Sequence, residues 1–291
     1  MQLLSNQRIL ASALRFKYSG AHRATWWLRD ESLTALCESV GGVARDIIGN
    51  NVGPEVQMLK STERKAVFRV QNPGEEGDTY VAKLFCLDHL SRRLRYWRYG
   101  LDEVANLLQA EARGINTPKV YGYGHTHDAF GLVRAGIVIL EDFHDLSLMS
   151  DLMSVMPESE RIGLFMNTIP LFVSLYRANC NHIDLNGSAI MLDGDSGNPE
   201  LYLLDFHHAK FYNKPSVNIL MFEAGYFARS CREWIPAETI SKWAADLLSH
   251  VGITDHAELQ KAGEIFEYHL QGKGIAPTQT TLSRKQRQRI R

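Results

Sequence analysis

The chain has 291 residues, 45% of them apolar and 10% aromatic, with 32 Lys and Arg against 33 Asp and Glu for a formal net charge of −1. That apolar content supports a packed core and excludes a chain disordered throughout. A charge balance this close to zero argues against a general nucleic-acid binder, so no nucleic acid is expected as a partner.

Residues 1–54 read as a helical extension. Trp26, Trp27, Leu28, Leu33, Leu36 and Val40 supply an apolar face at helical spacing, and Gly41-Gly42 and Gly49-Asn50-Asn51 are breaks. The paired tryptophans suit helix packing or a membrane-interface contact. From Glu55 the period changes. Residues 55–59, 65–70 and 79–85 read as three β-strands in an antiparallel meander, with a turn by composition at 71–78.

Ser91 to Arg113 reads as a helix with a stripe of Leu94, Leu101, Val104, Leu107 and Leu108; Gly114 stops it and Pro118 follows. Residues 119–123 and 137–140 read as strands, 145–155 as a short helix, and 160–179 as a longer one kinked at Pro170. Residues 190–192 and 201–205 form a hairpin, and 216–271 are helical. Residues 276–291 are polar and basic. The order is an α+β pattern: a small antiparallel sheet lobe at 55–142, a mostly helical lobe at 143–275, then the tail. A crevice between two lobes is a natural place for a ligand.

Cys37, Cys86, Cys180 and Cys231 are far apart, without a CxxC pair. Neither a cysteine zinc site nor a disulfide framework is expected, and reduced thiols in a cytoplasmic protein are the plain reading. The N-terminus shows no signal-peptide pattern, and no stretch reaches the roughly 18 apolar residues of a spanning helix.

The chemistry concentrates in the second half. His182-Ile183-Asp184-Leu185-Asn186 follows the long helix, and Leu203-Leu204-Asp205-Phe206-His207 ends an apolar strand 21 residues after Asp184. Two acids so spaced, each at the edge of a small hairpin, form the pattern of a phosphotransferase. Asp184 would take or orient the proton of an attacking hydroxyl, and Asp205 would hold the magnesium that bridges nucleotide phosphates. Lys83 ends a third strand, the place of the phosphate-contacting lysine in kinases, and Glu103 lies 20 residues on in the next helix. Glu141 ends the fifth strand, where neighbouring backbone groups would meet an adenine edge.

On these residues the chain resembles the protein-kinase-like superfamily and, more narrowly, the lipopolysaccharide core kinases that phosphorylate Kdo and heptose. The segments that carry the resemblance are VAKLF (81–85), EVANLLQAEARGINTPKVYGYG (103–124), ILED (139–142), HIDLN (182–186) and LYLLDFHHAKF (201–211). The resemblance implies a bilobal kinase-like fold, ATP and Mg²⁺ as cofactors, and a lipid-linked sugar hydroxyl of the lipopolysaccharide inner core as acceptor. Lys83, Glu103 and Glu141 would bind nucleotide, Asp205 the metal, and Asp184 with Asn186 would form the catalytic loop. The departures are specific. Ala189 stands where the family places an Asn five residues after the catalytic Asp. The turn at 60–64 has no glycine. Ile183 replaces the Arg through which phosphorylated activation loops act, and Asp-Phe-Gly reads Asp-Phe-His.

His182 reads as a structural residue that hydrogen-bonds backbone. Met149, Met153, Met156 and Met166 read as packing, or as a soft binding surface. His207-His208 on a strand would face opposite ways. Arg92, Arg93, Arg95 and Arg98 form a solvated face or an anion site. Five basic residues of the tail lie in 283–291, so the rest of the chain is mildly acidic. That tail is a disordered segment, or a peripheral contact with the anionic cytoplasmic face of an inner membrane. Two other readings stay open. Ala189 allows a kinase-like protein that binds without catalysing, and His-x-Asp loops also serve aminoglycoside- and choline-type phosphotransferases.

Overall fold

The computed structural model describes residues 2–272, apart from 22, 50, 52, 54–55, 63–64, 74–77, 88, 92, 94–98 and 195–198. The basic tail at 276–291 and Arg92, Arg95 and Arg98 lie outside the described residues. The chain divides into two compact units, Met1–Gln109 with Pro118–His144, and Ala110–Thr117 with Asp145–Arg291.

The first unit is built on a seven-stranded antiparallel sheet. Its strands are β1 (Phe16–Gly20), β2 (Ala24–Leu28), β3 (Gln57–Ser61), β4 (Lys65–Gln71), β5 (Thr79–Cys86), β6 (Val120–His127) and β7 (Val133–Glu141), in the order β1-β2-β6-β7-β5-β4-β3. Its helices are α1 (Gln2–Ala13), α2 (Thr34–Ile48) and α3 (Tyr99–Ala112). Alternation decides which face each strand buries. Ala66, Phe68, Ala82, Leu84, Ile137 and Ile139 share a core with Leu36, Cys37, Val40 and Ala44 of α2. The opposite face carries Lys83, Phe85, Tyr123 and Val138. Here α3 presses so closely that a Cβ on Gly100 would stand 3.0 Å from the Tyr123 ring.

The expected helix through residues 16–28 is instead the hairpin β1–β2. The reason is a period of two: Ala24, Trp26 and Leu28 are buried while Thr25 and Trp27 are half-buried on the other face. Trp26 belongs to the sheet core, and Trp27 stacks on Tyr123 with ring centroids 6.0 Å apart. Neither reads as a membrane contact. Gly124 of β6 makes room for Trp26, since a Cβ there would lie 2.3 Å from the indole.

The second unit contains α4 (Met149–Val155), α5 (Glu158–Met166), α6 (Ile169–Arg177), α7 (Val217–Cys231), α8 (Ala237–His250) and α9 (His256–Leu270). Five short strands accompany them: β8 (Ser147–Leu148), β9 (Cys180–Asn181), β10 (Ile190–Asp193), β11 (Glu200–Leu203) and β12 (Lys210–Phe211). The hairpin β10–β11 pairs Ile190 with Leu203, and β9 pairs with β12. The expected single helix over 160–179 is two helices. Pro170 does not kink it but sits in the first turn of α6, where a missing N–H leaves no bond unmade. The Thr168 hydroxyl at that junction donates to Phe165 O at 2.7 Å and accepts the Trp243 indole N–H at 3.1 Å. Around it Phe165, Phe172, Phe227 and Trp243 pack ring on ring. Met149 and Met153 are fully buried, which settles them as packing. His207 and His208 do not face opposite ways, because they lie in a 3₁₀ turn with ring centroids 3.8 Å apart.

Candidate active site

The first unit forms one half of the candidate machinery. Lys83 sits in the middle of β5, opposite Val67 of β4 and Val138 of β7, on the face covered by α3. Along α3, Glu103 falls on the buried stripe with Leu101, Val104, Leu107 and Leu108, whereas Asp102 is half-buried and Glu111 exposed. Helical phase thus selects Glu103 from the three acids. Lys83 Nζ donates to Glu103 Oε1 at 2.7 Å, with the Glu103 side chain fully buried and that of Lys83 11% exposed. A buried carboxylate needs such a partner, since uncompensated burial of charge is costly. Glu103 Oε2 is buried without a partner among the described residues.

Glu141 closes β7. Its amide donates to Lys119 O at 2.9 Å and its Oε2 accepts the Lys119 N–H at 3.0 Å. Both groups are therefore committed to a neighbouring segment, and any contact with a base edge falls to the residues beside it. Asp142, next along, is paired with Arg69 through both carboxylate oxygens.

The second unit carries the loop 182–189. His182 is buried; its Nε2–H donates to Leu204 O at 2.7 Å and its ring meets Phe206 edge-on. Burial lowers the His182 pKa, against the raising influence of the Leu204 carbonyl and then of Asp205 and Asp184. The neutral ring thus ties the Asp184 loop to the Asp205 turn, and both carboxylates act on it. Asp184 is half-buried, and its Oδ1 accepts from the Tyr226 hydroxyl at 3.2 Å. Burial and then Asp184 push the Tyr226 phenol up to about 12, so it remains a donor.

Asn186 braces the same loop. Its Nδ2 donates to Asp184 O at 3.1 Å, while its Oδ1 accepts both Ser188 N–H (2.9 Å) and Ser188 Oγ–H (2.6 Å). A carbonyl oxygen has two lone pairs, and both are occupied. Ala189 is buried, and its carbonyl accepts the Leu204 N–H at 2.9 Å. Asp205 adopts left-handed backbone, with φ of 58°, at the start of the Phe206–His208 turn.

Two residues that sequence reasoning did not single out complete this half, Glu223 and Tyr226 of α7. Glu223 is buried, and its Oε1 accepts the Ile183 N–H at 2.6 Å. The backbone amide of His182 also acts on this carboxylate, whose Oε2 is buried without a partner among the described residues. Burial pushes Glu223 up to about 8, with Asp184 adding to the effect and the two amides opposing it. Ile183 itself has φ of 76°, a region that costs a β-branched residue on the order of 1–3 kcal/mol. The Glu223 bond holds that backbone in place. One signal was available: a single acid inside the otherwise apolar run Ile219–Ala228.

Sheet-rich and helical units in this order, with a lysine–glutamate pair in one and two acidic loops in the other, define an α+β fold of the protein-kinase-like class. Among solved structures, 1493 chains match, so the fold is widely shared and does not assign chemistry alone. One match, "WaaP in complex with acyl carrier protein", aligns with a TM-score of 0.55 at 12% identity, covering 78% of this chain and 94% of that one. No curated protein sequence matches. The model of the lipopolysaccharide kinase (Kdo/WaaP) family matches residues 60–215, more than half of the chain. The chain belongs to that family, and its activity is that of a lipopolysaccharide-related kinase, a phosphotransferase.

Proposed function

We propose that the chain uses ATP and Mg²⁺ to phosphorylate a sugar hydroxyl of the lipopolysaccharide inner core, on a lipid-linked acceptor. The observation that carries this is the buried Lys83–Glu103 pair, since a structural lysine on a strand has no need of a fully buried carboxylate. Lys83 holds the α- and β-phosphates and Glu103 fixes its ammonium. Asp184 accepts the proton as the acceptor oxygen bonds to the γ-phosphorus, the bond to the β–γ bridging oxygen breaks, and ADP leaves. Asn186 and Tyr226 keep Asp184 in position, and backbone groups beside Glu141 take the adenine edge.

Mg²⁺ would neutralise phosphate charge, and it commonly takes only one or two protein carboxylates beside the phosphates. The half-buried Asp205 suits that demand. Ala189 offers no side-chain ligand, and both acceptor positions on Asn186 Oδ1 are filled by Ser188. Asp205 would therefore be the side chain that holds the ion. Sequence division at 55–142 and 143–275 follows the same assignment of roles. Among the described residues no helix is long and apolar enough to cross a membrane. A peripheral position at the cytoplasmic face of the inner membrane, helped by the basic tail, suits an enzyme with a lipid-linked acceptor.

Asp205→Ala should lower transfer from labelled ATP to lipooligosaccharide by about 10²–10³-fold or more, with folding intact by circular dichroism. Normal transfer by this variant would sink the mechanism. Ala189 favours a second reading, a protein that binds nucleotide without catalysing. Nucleotide-dependent thermal stabilisation that ignores Mg²⁺, with no transfer to any glycolipid, would select it.

A further inference from the structure

One end of the seven-stranded sheet holds large apolar side chains out in water. Phe130 is 89% exposed and Leu132 39%, both in the turn between β6 and β7. Leu90, 58% exposed, belongs to a segment pinned to the same turn. That segment is fixed by the Leu87 N–H on Arg134 O at 3.0 Å and by Arg93, which bonds Leu87 O and the Asp128 carboxylate.

The exposure is built in. Asp128 Oδ1 accepts the amides of Phe130 (2.9 Å) and Leu132 (3.0 Å), the Asp128 N–H donates to Leu132 O at 2.9 Å, and Gly131 takes φ of 78° to close the turn. Burial pushes the Asp128 carboxyl up, but those two amides and Arg93 outweigh it and hold it below the ordinary value. The turn is thus a braced wedge with an aromatic ring at its apex.

Two exposed arginines, Arg23 and Arg134, flank the wedge. Arg134 is exposed at the base of β7, and the tip of the β1–β2 hairpin lies alongside, with the Arg23 carbonyl accepting from His127 N–H at 3.2 Å. Between the hairpins lies a shallow concavity of about 380 Å³, lined by Ser19, Arg23, Thr25 and His127 among others. Among the described residues, the nearby acids Asp128 and Glu38 are engaged internally, Asp128 as described and Glu38 by the Tyr18 hydroxyl and the Ala21 N–H.

We infer that this end of the sheet is an anchor for an anionic lipid bilayer. Phe130 and Leu132 enter the boundary between headgroups and acyl chains, and Arg23 and Arg134 lie at the level of the phosphates. An apex of two or three side chains is far smaller than the roughly 800 Å² that each partner buries in a stable protein–protein interface. A bilayer needs only shallow insertion of apolar groups together with attraction of cations to its surface. The anchor is independent of the phosphotransfer chemistry and distinct from the basic tail.

The test is co-sedimentation of the full chain, without nucleotide, with vesicles of phosphatidylethanolamine and phosphatidylglycerol and with vesicles of phosphatidylcholine. Phe130→Ser/Leu132→Ser should weaken binding to the anionic vesicles by about tenfold or more. Arg23→Gln/Arg134→Gln should flatten its salt dependence. Phe130→Trp fluorescence should be quenched by brominated lipids. Parental binding and salt dependence in both double variants, each folded with an unchanged melting temperature, would overturn the inference. So would a self-associated species, seen by sedimentation velocity, that Phe130→Ser/Leu132→Ser dissolves while vesicle binding persists.

Discussion

Glu103 and Glu223 are both shut away from solvent, one in each unit, and they are neutralised by different means. Glu103 faces an ammonium at 2.7 Å. Glu223 faces two backbone amides and is pushed up to about 8. A cation satisfies a buried carboxylate in its charged form, whereas two amides only partly offset its desolvation. The difference fits the separate tasks proposed for the two regions. A lysine that must meet phosphates needs its charge held ready, so its partner has to be an anion. A loop that must keep Asp184 in place needs a rigid acceptor, and that acceptor need not stay charged.

Unpairing Glu103 should produce the largest effect. Lys83→Met leaves a buried carboxylate without its cation, which costs about 3 kcal/mol in denaturant unfolding, and lowers phosphotransfer by on the order of 10²–10³-fold. Adding Glu103→Leu should restore most of the stability and none of the activity. If Lys83→Met alone unfolds like the parent protein, the contrast between the two carboxylates fails.

The next effect concerns pH. A carboxyl whose folded pKa lies above its unfolded value binds a proton more tightly when folded. Its contribution to stability is therefore full below about 4.5 and is lost as pH rises towards about 8. His182 acts in the opposite sense and lower down: its folded pKa is depressed below 6.5, so its stabilising contribution is lost as pH falls through that range. Between pH 6.5 and 8 the slope belongs mainly to Glu223. Glu223→Gln should flatten the decline of melting temperature over that window, and an unchanged slope would show that the carboxylate stays ionised. The smallest effect is that of Asn186→Ala. Loss of the cap on the 187–189 turn should cost about 1 kcal/mol, with a modest fall in turnover from a looser Asp184.

The sequence made much of this visible, and for physical reasons. Lys83, Asp184 and Asp205 stand out because a charged side chain within or just beyond an apolar run is costly to bury unless it has a partner or a task. Glu103 could be picked from its neighbours only by helical phase, which becomes decisive once Leu101, Val104 and Leu108 are known to be buried. Glu223 shows in the sequence only as a single acid within an apolar run, and its task stays hidden because it holds a backbone amide some 40 residues away, which leaves no trace in side-chain patterns. The strands at 16–28 were hidden by their shortness. Five residues with two adjacent tryptophans satisfy a helical spacing nearly as well as an alternating one, and pairing with Gly122–Thr126 of β6 decides between them. From sequence Pro170 reads as a kink because the break in the chain at Asn167–Thr168 has no glycine to mark it.

The β1–β2 hairpin also sets where this protein can be cut. The family match begins at residue 60, but the sheet begins at Phe16. A chain trimmed to the matching segment would strip β6 of its outer neighbour and leave a row of unsatisfied amides and carbonyls along Gly122–Thr126. The hollow beneath Gly124 that receives Trp26 would open beside them. Such a bare strand is a template for joining other chains edge to edge. The strands β1 and β2 are thus the selvedge of the sheet, and removing them would turn a folded unit into a sticky one.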